Sequence, residues 1–336
     1  MLTLRELNRT LLARQFLVER QRMPVGRVVE RLVALQAQYA PSPYVALWTR
    51  IDGFRKEHLT KALAEGSIVK AGSLRTTLHV MSAREFPSIF SAYIESQRAR
   101  TEGLAVDFEA LRAAIPNAPL SSSEFFALGH RVLDTDDRWT VAFALRAFPS
   151  VRTPPVGPWP HTKPSPSVLW RDELPDHRAS AVRVVRQYLA AYGPASRDDI
   201  AQFTGFRFRQ IDPALDGLRT FADEQGRTLV DLPRRPLAPA DGPAPVRFLP
   251  AFDSIILAHR DRSRIVPHEY LEVVFNTKNA TTKQTFTVDG FVAGAWRVER
   301  KRGRWALSVE SFAPLPAKVR REVDAEGERL LAFYES

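Results

Sequence analysis

Gln36 and Gln38 are the residues whose type and spacing point most directly to chemistry. They lie in the run Leu35-Gln36-Ala37-Gln38-Tyr39, followed by Ala40-Pro41-Ser42-Pro43-Tyr44. A side-chain amide holds a water molecule through its oxygen but cannot take a proton from it near neutrality. An amide pair therefore serves only a reaction whose substrate is already activated. The two glutamines read as the end of an apolar helical run, just ahead of a proline-broken turn. Inside a helix, residues two apart lie about 200° apart around the axis and do not share a target. If the helix ends here, as Ala40-Pro41 suggests, Gln38 leaves the helical path and both amides can converge. Taken without context, the same pair is a solvated polar helix end.

Other candidates are polar or basic. Arg75, Thr77 and His79 alternate along an expected strand and would face one side of it, where they could meet phosphate. An ordinary polar strand face is the competing reading, and a lone histidine is more often a hydrogen-bonded structural residue. The segment Arg297–Arg304 carries five basic residues and one acid, with Arg300, Lys301, Arg302 and Arg304 at an expected hairpin tip. Such a basic turn can enter a groove and grip phosphates, or it can simply be solvated. His259-Arg260-Asp261-Arg262-Ser263-Arg264 has a similar character, while Asp253 and Asp261 read as ion-pair partners of nearby arginines rather than catalysts. The seven histidines show no HxxxH or HExxH spacing, so no metal site is expected. With no GxGxxG ahead of a βαβ unit, no GxxxxGK[ST] and no GxSxG, no cofactor is expected either. No lysine motif suggests Schiff-base chemistry.

The elements that must position these residues read as repeated helix–helix–helix–hairpin units. Thr3 caps an expected helix over Leu4–Arg20, and Pro24 opens a second in which Val25, Val28, Val29, Leu32, Val33 and Leu35 recur at helical spacing. A third helix over residues 54–64 stops at Glu65-Gly66. The stretches 67–70 and 74–81, around Ala71-Gly72-Ser73, then form a hairpin. Three helices and a two-stranded wing make a winged helix. A second unit would use helices from Ser121 to about Arg131 and over 137–147, with a wing near 168–170. A third would use helices over 179–192, 197–203 and about 213–220, with a strand at 229–232. The proline-rich 153–166 stretch, with Trp159 as an anchor or a stacking ring, reads as a loop.

A linker at 233–245, rich in proline, precedes strands at 246–249, 284–288, 291–298 and 305–312, with a hairpin turn at Asp289-Gly290. A small β-barrel or compact sheet, closed by a helix over about 316–334, is expected. The fold class is thus α+β, divided as residues 1–100, 101–176 and 177–235 for three winged helices and 246–336 for the barrel.

At 336 residues, the chain is long enough for several compact units. With no cysteine there are no disulfides, thiolate metal sites or cysteine nucleophile. No run of 18 apolar residues marks a membrane span, and Met1–Leu7 lack the basic-then-apolar pattern of a leader, so a cytosolic protein is expected. The charge of +10 is uneven: residues 1–100 hold 16 Lys and Arg against 8 Asp and Glu, while the remaining 236 hold 32 against 30. A basic region on an otherwise balanced chain is the footprint of a polyanion-binding surface.

The chain resembles the AlkZ/YcaQ superfamily of alkylpurine DNA glycosylases. The matching pieces run in order along nearly its full length. They are Leu35-Gln36-Ala37-Gln38 with its Pro-Ser-Pro-Tyr continuation, Leu74-Arg75-Thr76-Thr77-Leu78-His79, Gly193-Pro194-Ala195-Ser196 with Phe203-Thr204-Gly205, Arg247 to Ser254 with His259-Arg260-Asp261-Arg262, and Val288 to Trp296. The resemblance implies tandem winged helices, a terminal β-barrel and hydrolysis of the N-glycosidic bond of N7-alkylguanine. It makes Gln36 and Gln38 the catalytic pair, in the Gln-x-Gln branch that includes self-resistance enzymes; interstrand-crosslink unhooking belongs more to the Gln-x-Asp branch. The implied partner is double-stranded DNA with alkylated purines, bound by a monomer. The rival reading is a non-enzymatic winged-helix transcription regulator, against which three unlike units in one chain argue, because palindromic operators demand a symmetric dimer.

Overall fold

Thr3 begins the first helix as its spacing requires. Its hydroxyl accepts from the Glu6 backbone N–H at 3.2 Å while the Glu6 carboxylate accepts from the Thr3 N–H at 2.8 Å. Helix α1 (Leu4–Arg14) is shorter than the 4–20 span expected, because Phe16 adopts a left-handed φ of +57° and joins a different core from Leu11 and Leu12. Such chemistry, repeated along the chain, gives a mixed α+β structure; the computed structural model describes residues 1–104, 106–154, 159, 165–276 and 279–336.

Helix α2 (Val25–Arg31) likewise stops early: Val33 has φ of +70°, and the chain extends into strand β1 (Leu35–Gln36). The glutamine motif is therefore on a strand, not at a helix end. Helix α3 (Ser42–Trp48) follows at once, in a stretch whose prolines read as breakers; a proline in the first turn lacks an N–H that would have had no partner anyway. Helix α4 (Lys56–Ala64) leads into the hairpin of β2 (Ile68–Gly72) and β3 (Leu78–Ser82), paired from Ile68↔Ser82 to Gly72↔Leu78. Leu74–Thr76, expected at the start of the second strand, is a 3-10 turn instead.

Helices α5 (Phe86–Arg98) and α6 (Phe108–Ala114) fill a region that sequence patterning left blank. Helices α7 (Ser122–Leu133) and α8 (Arg138–Arg146) lie within a few residues of expectation. Strands β4 (Ser150–Arg152) and β5 (Ser167–Leu169) join the first hairpin through Ala71↔Val151, making one sheet in the order β1-β3-β2-β4-β5. Most of the proline-rich 153–166 stretch lies outside the described residues. Trp159 is described, and its ring packs on Tyr44, Phe333 and Tyr334 at 4.7–5.8 Å between centroids, which is an anchor rather than an exposed stacking platform.

Helices α9 (His177–Tyr192) and α10 (Arg197–Thr204) match their expected positions, and α9 packs along α5. The helix expected at 213–220 is absent: the chain turns at Gly217 (φ +71°) and continues as β6 (Arg219–Ala222), paired with β7 (Thr228–Asp231).

After the linker come β8 (Arg247–Leu249), the two-residue pair β9 (Phe275–Asn276) and β10 (Thr281–Thr282), and then β11 (Thr285–Val288), β12 (Phe291–Lys301) and β13 (Arg304–Ser311). Four of these form an open antiparallel sheet in the order β13-β12-β11-β8, so the expected closed barrel is not formed among the described residues. Here the helix Ala317–Glu335 performs the closure, packing Leu330, Phe333 and Tyr334 into the core that holds Phe248, Phe286 and Trp296.

The Asp289-Gly290 turn is clamped against α1. Arg9 donates to the Asp289 carboxylate and carbonyl, Asn8 donates to the Gly290 carbonyl at 2.8 Å, and Gly290 (φ +82°) has no room for a Cβ, which would stand 2.4 Å from Asn8 Oδ1. Among the described residues no helix is long and apolar enough to cross a membrane.

Candidate active site

The motif starts on a strand, β1, which ends at Gln36, and Gln38 follows at the bend just beyond it. The 200° separation that a helix would impose does not arise. Gln36 faces His79 across the ladder, Leu35 faces Val80, and the Ala37 N–H donates to the Leu78 carbonyl at 2.7 Å, which carries the pairing one residue past β1. Gln36 is buried and Gln38 exposed. The Gln36 Oε1 accepts from Arg75 Nη2 at 3.3 Å, and the Gln38 Oε1 accepts from the Leu78 backbone N–H at 3.4 Å. An amide oxygen has two lone pairs, so each retains one for a water.

Arg75 is not the exposed strand residue that alternation suggests. Arg75 and Thr76 both have left-handed backbones (φ +53° and +64°), a costly conformation for residues with a Cβ. That kink turns the guanidinium inward, 5.1 Å above the Phe203 ring at the end of α10 and donating to the Phe203 carbonyl. Burial, the main cause, pulls its pKa down to about 10, so it is still a cation at neutral pH. It aligns Gln36 rather than reaching toward bulk solvent.

His79 is buried, with Nδ1 3.1 Å from the Ser73 hydroxyl and 3.2 Å from the Thr77 carbonyl, to which it donates. Burial first, and the Arg75 charge second, push its pKa to about 3. A neutral, enclosed imidazole holds the turn before β3 and is not placed to touch a phosphate. Thr77 donates to the Leu74 carbonyl at 3.3 Å and borders a cleft beside Gln38.

That cleft, about 300 Å³, opens between the β2–β3 hairpin, α5, α7 and α8. Phe90, Tyr93, Phe125 and Phe126 contribute rings to it, and Arg146 and Arg152 contribute charge. Nothing in the sequence marked these residues, because aromatic residues at helical spacing read as core. Only the approach of α5, α7 and α8 to the glutamine strand brings them together around one cleft.

Arg300, Lys301, Arg302 and Arg304 are exposed at the tip of the β12–β13 hairpin, turned by Arg302 and Gly303 at φ of +49° and +83°. Glu299 holds Lys301 at 2.9 Å, whereas Arg302 and Arg304 have no carboxylate partner among the described residues. The segment at 259–264 differs from this hairpin. His259 and Arg264 are buried, with His259 Nε2 3.0 Å from the Tyr192 carbonyl and Arg264 donating to the Pro194 carbonyl. It ties residues 192–199 to the chain after the linker. Asp253 forms the expected buried pair, with Arg50, while Asp261 pairs with Arg227 at 2.7 Å near the surface. No group of three or more metal-ligating side chains occurs among the described residues.

No curated protein matches this chain. Its fold does match a solved one: the structure of Streptomyces sahachiroi DNA glycosylase AlkZ aligns with a TM-score of 0.78 and 20% sequence identity, over 98% of this chain and 97% of that one. A likeness at that identity speaks to architecture alone. The family model described as DNA glycosylase AlkZ-like matches residues 29–333, which takes in the glutamine strand, the Arg75 turn and the basic hairpin. The chain belongs to the AlkZ-like DNA glycosylase family.

Proposed function

We propose that this glycosylase hydrolyses the N-glycosidic bond of cationic N7-alkylated purines in double-stranded DNA, with Gln36 and Gln38 aiming the water. The observation that carries the reading is that each amide oxygen is held by a donor from the same short segment, Arg75 for Gln36 and the Leu78 N–H for Gln38. N7 alkylation puts a positive charge on the purine. As the C1′–N9 bond breaks, its electron pair neutralises that charge and the base leaves without needing an acid. The water oxygen bonds to C1′ and its proton passes to solvent, leaving an abasic sugar. The amides supply orientation and partial negative charge to the oxocarbenium-like sugar. Neutral guanine lacks the leaving group and should be spared.

Arg75 acts in this reading as the positioning residue for Gln36, and the Arg300–Arg304 hairpin as the DNA grip. The hairpins β2–β3, β4–β5 and β6–β7, each preceded by helices, support reading 1–100, 101–176 and 177–235 as three winged helices that present one monomer to the duplex. Family membership favours this over a regulator without enzymatic activity.

Release of 7-methylguanine from a methylated duplex, measured by mass spectrometry, tests the proposal. Gln36→Ala combined with Gln38→Ala should lower the single-turnover rate by about 100-fold or more, the scale of removing transition-state electrostatic stabilisation. A double variant as active as the parent chain would sink it, as would a parent chain that releases no alkylated base.

A further inference from the structure

We infer that a pocket between α1, α2, α9 and the 233–245 linker binds an oxyanion of the phosphate class, gripped by Arg31 and Arg235. The pocket encloses about 310 Å³ and shares no lining residue with the cleft beside Gln38. Such an ion would bind whether or not the glutamines act as proposed.

Three arginines from distant parts of the chain line this pocket, and no Asp or Glu does so among the described residues. Arg14, with a nearly buried side chain, is neutralised by Asp231 through hydrogen bonds of 2.7 and 2.9 Å. That carboxylate also accepts from the Leu232 N–H at 2.8 Å, so it has little left for a second guanidinium. Arg31 and Arg235 form no ion pair among the described residues. Arg235 is half-buried, and burial first, then the charges of Arg14 and Arg31, pull its pKa below the ordinary value. An arginine stays a cation near neutrality, so packing has gathered like charges here, and an anion between Arg31 and Arg235 relieves their repulsion.

The pocket also holds donors that the fold leaves unspent. Thr10 is buried and accepts from the Ala238 N–H at 2.9 Å, while its hydroxyl proton has no acceptor among the described residues. The buried Nε–H of Arg14 is likewise without a partner. Two guanidinium forks and a hydroxyl suit a tetrahedral oxyanion. Ala13, Phe16, Ala190 and Leu237 complete the wall, and apolar surroundings strengthen the charge interaction. The linker is already held in place: Arg14 donates to the Pro236 carbonyl at 3.1 Å and Arg219 to the Arg235 carbonyl at 3.2 Å. A free phosphate and a phosphodiester of the DNA backbone present the same oxygens, and experiment separates them.

Calorimetric titration of the full chain with inorganic phosphate, in chloride of matched ionic strength near neutral pH, tests the site. One ion should bind per chain with a Kd of about 1 mM or tighter. Arg31→Gln and Arg235→Gln should each weaken that binding about ten-fold or more. In chloride the variants' thermal midpoints should match or exceed the parent's, because a like charge is gone. Phosphate should raise the parent's midpoint and leave theirs in place. Undamaged duplex then identifies the source. If it displaces phosphate, and the variants lose about 0.9 of salt slope per lost contact, the ligand is a backbone phosphate. If phosphate binds equally well to duplex-saturated protein, the ligand is a free phosphate. No saturable phosphate binding by the parent chain, or equal affinity in the parent and both variants, overturns the assignment and leaves the glycosylase reading untouched.

Discussion

The side chains proposed for the chemistry do not titrate, and those nearby that do are locked. Gln36 and Gln38 have no proton to gain or lose near neutrality, and His79 beside them is held neutral by burial, with its pKa near 3. The single-turnover rate of base release should therefore be flat from about pH 6 to about pH 9, because no group involved has a pKa in that window. A bell-shaped or sigmoidal profile would mean that a titrating acid or base takes part. Stability should behave differently. His79 and His259 are both depressed, to about 3 and about 4, from an ordinary 6.5, chiefly by burial. A histidine that resists protonation in the fold is protonated first in the unfolded chain. Its contribution is thus fully present above pH 6.5 and is lost as pH falls toward the folded values. Between pH 7.5 and pH 5 the loss should be on the order of 2 kcal/mol per histidine, read from urea midpoints. An unchanged midpoint would show that one or both rings are less enclosed than described.

At the scale of elements, the β12–β13 hairpin and the 74–76 turn divide the basic residues into two kinds. The turn folds its arginine inward to Phe203 and Gln36, whereas the hairpin holds its cations in solvent. Alternation along a strand cannot tell these apart, because it presumes regular backbone through residue 75. Replacing Arg300, Lys301, Arg302 and Arg304 together with Ala should weaken duplex binding. It should also lower the slope of log K against log salt by roughly 0.9 for each phosphate that the hairpin no longer neutralises. Arg302 and Arg304, which lack a carboxylate partner among the described residues, should account for more of that change than Lys301, which Glu299 partly neutralises. The rate at saturating DNA should be little affected. A salt slope identical to that of the parent chain would remove the hairpin from the interface.

The whole molecule is sewn together by pairs that join residues far apart in the chain. Arg50 and Asp253 have fully buried side chains and meet in two hydrogen bonds of 2.7 and 2.8 Å; Asp253 also accepts from the Ile255 N–H at 3.0 Å. Arg14 pairs with Asp231 at 2.7 Å, and Arg9 reaches Asp289. Removing one member of an enclosed pair strands the other charge in a medium that solvates it poorly. Asp253→Ala should accordingly cost about 3–5 kcal/mol, measured by denaturant unfolding at pH 7.5. A cost under about 1 kcal/mol would show that Arg50 finds water or another acceptor when its partner is gone. Leu35 and Ala37, on either side of Gln36, share one core with Phe286, Trp296 and Tyr334, and through it the glutamine strand depends on residues near the far end of the chain.

Local chemistry was readable from the residues themselves. Thr3, Ser121 and Ser196 begin helices through capping boxes, and Asp289-Gly290 makes the tight turn its residue types demand. These features involve neighbours within a few positions, so side-chain type settles them. The helix ends at Phe16 and Val33, the strand under Gln36 and Gln38, the inward turn of Arg75 and the open four-stranded sheet were not readable. Each is settled by a partner a long way off in sequence: β3 for the glutamines, Phe203 for Arg75, the final helix for the sheet. Helical periodicity through Leu35 is a weak preference, and pairing with Val80 and His79 outweighs it. The chain by itself determined which residues could hold a water; the tertiary structure decided which donors hold their oxygens, and that Gln38 borders a cleft, because those partners lie about 40 positions away in sequence.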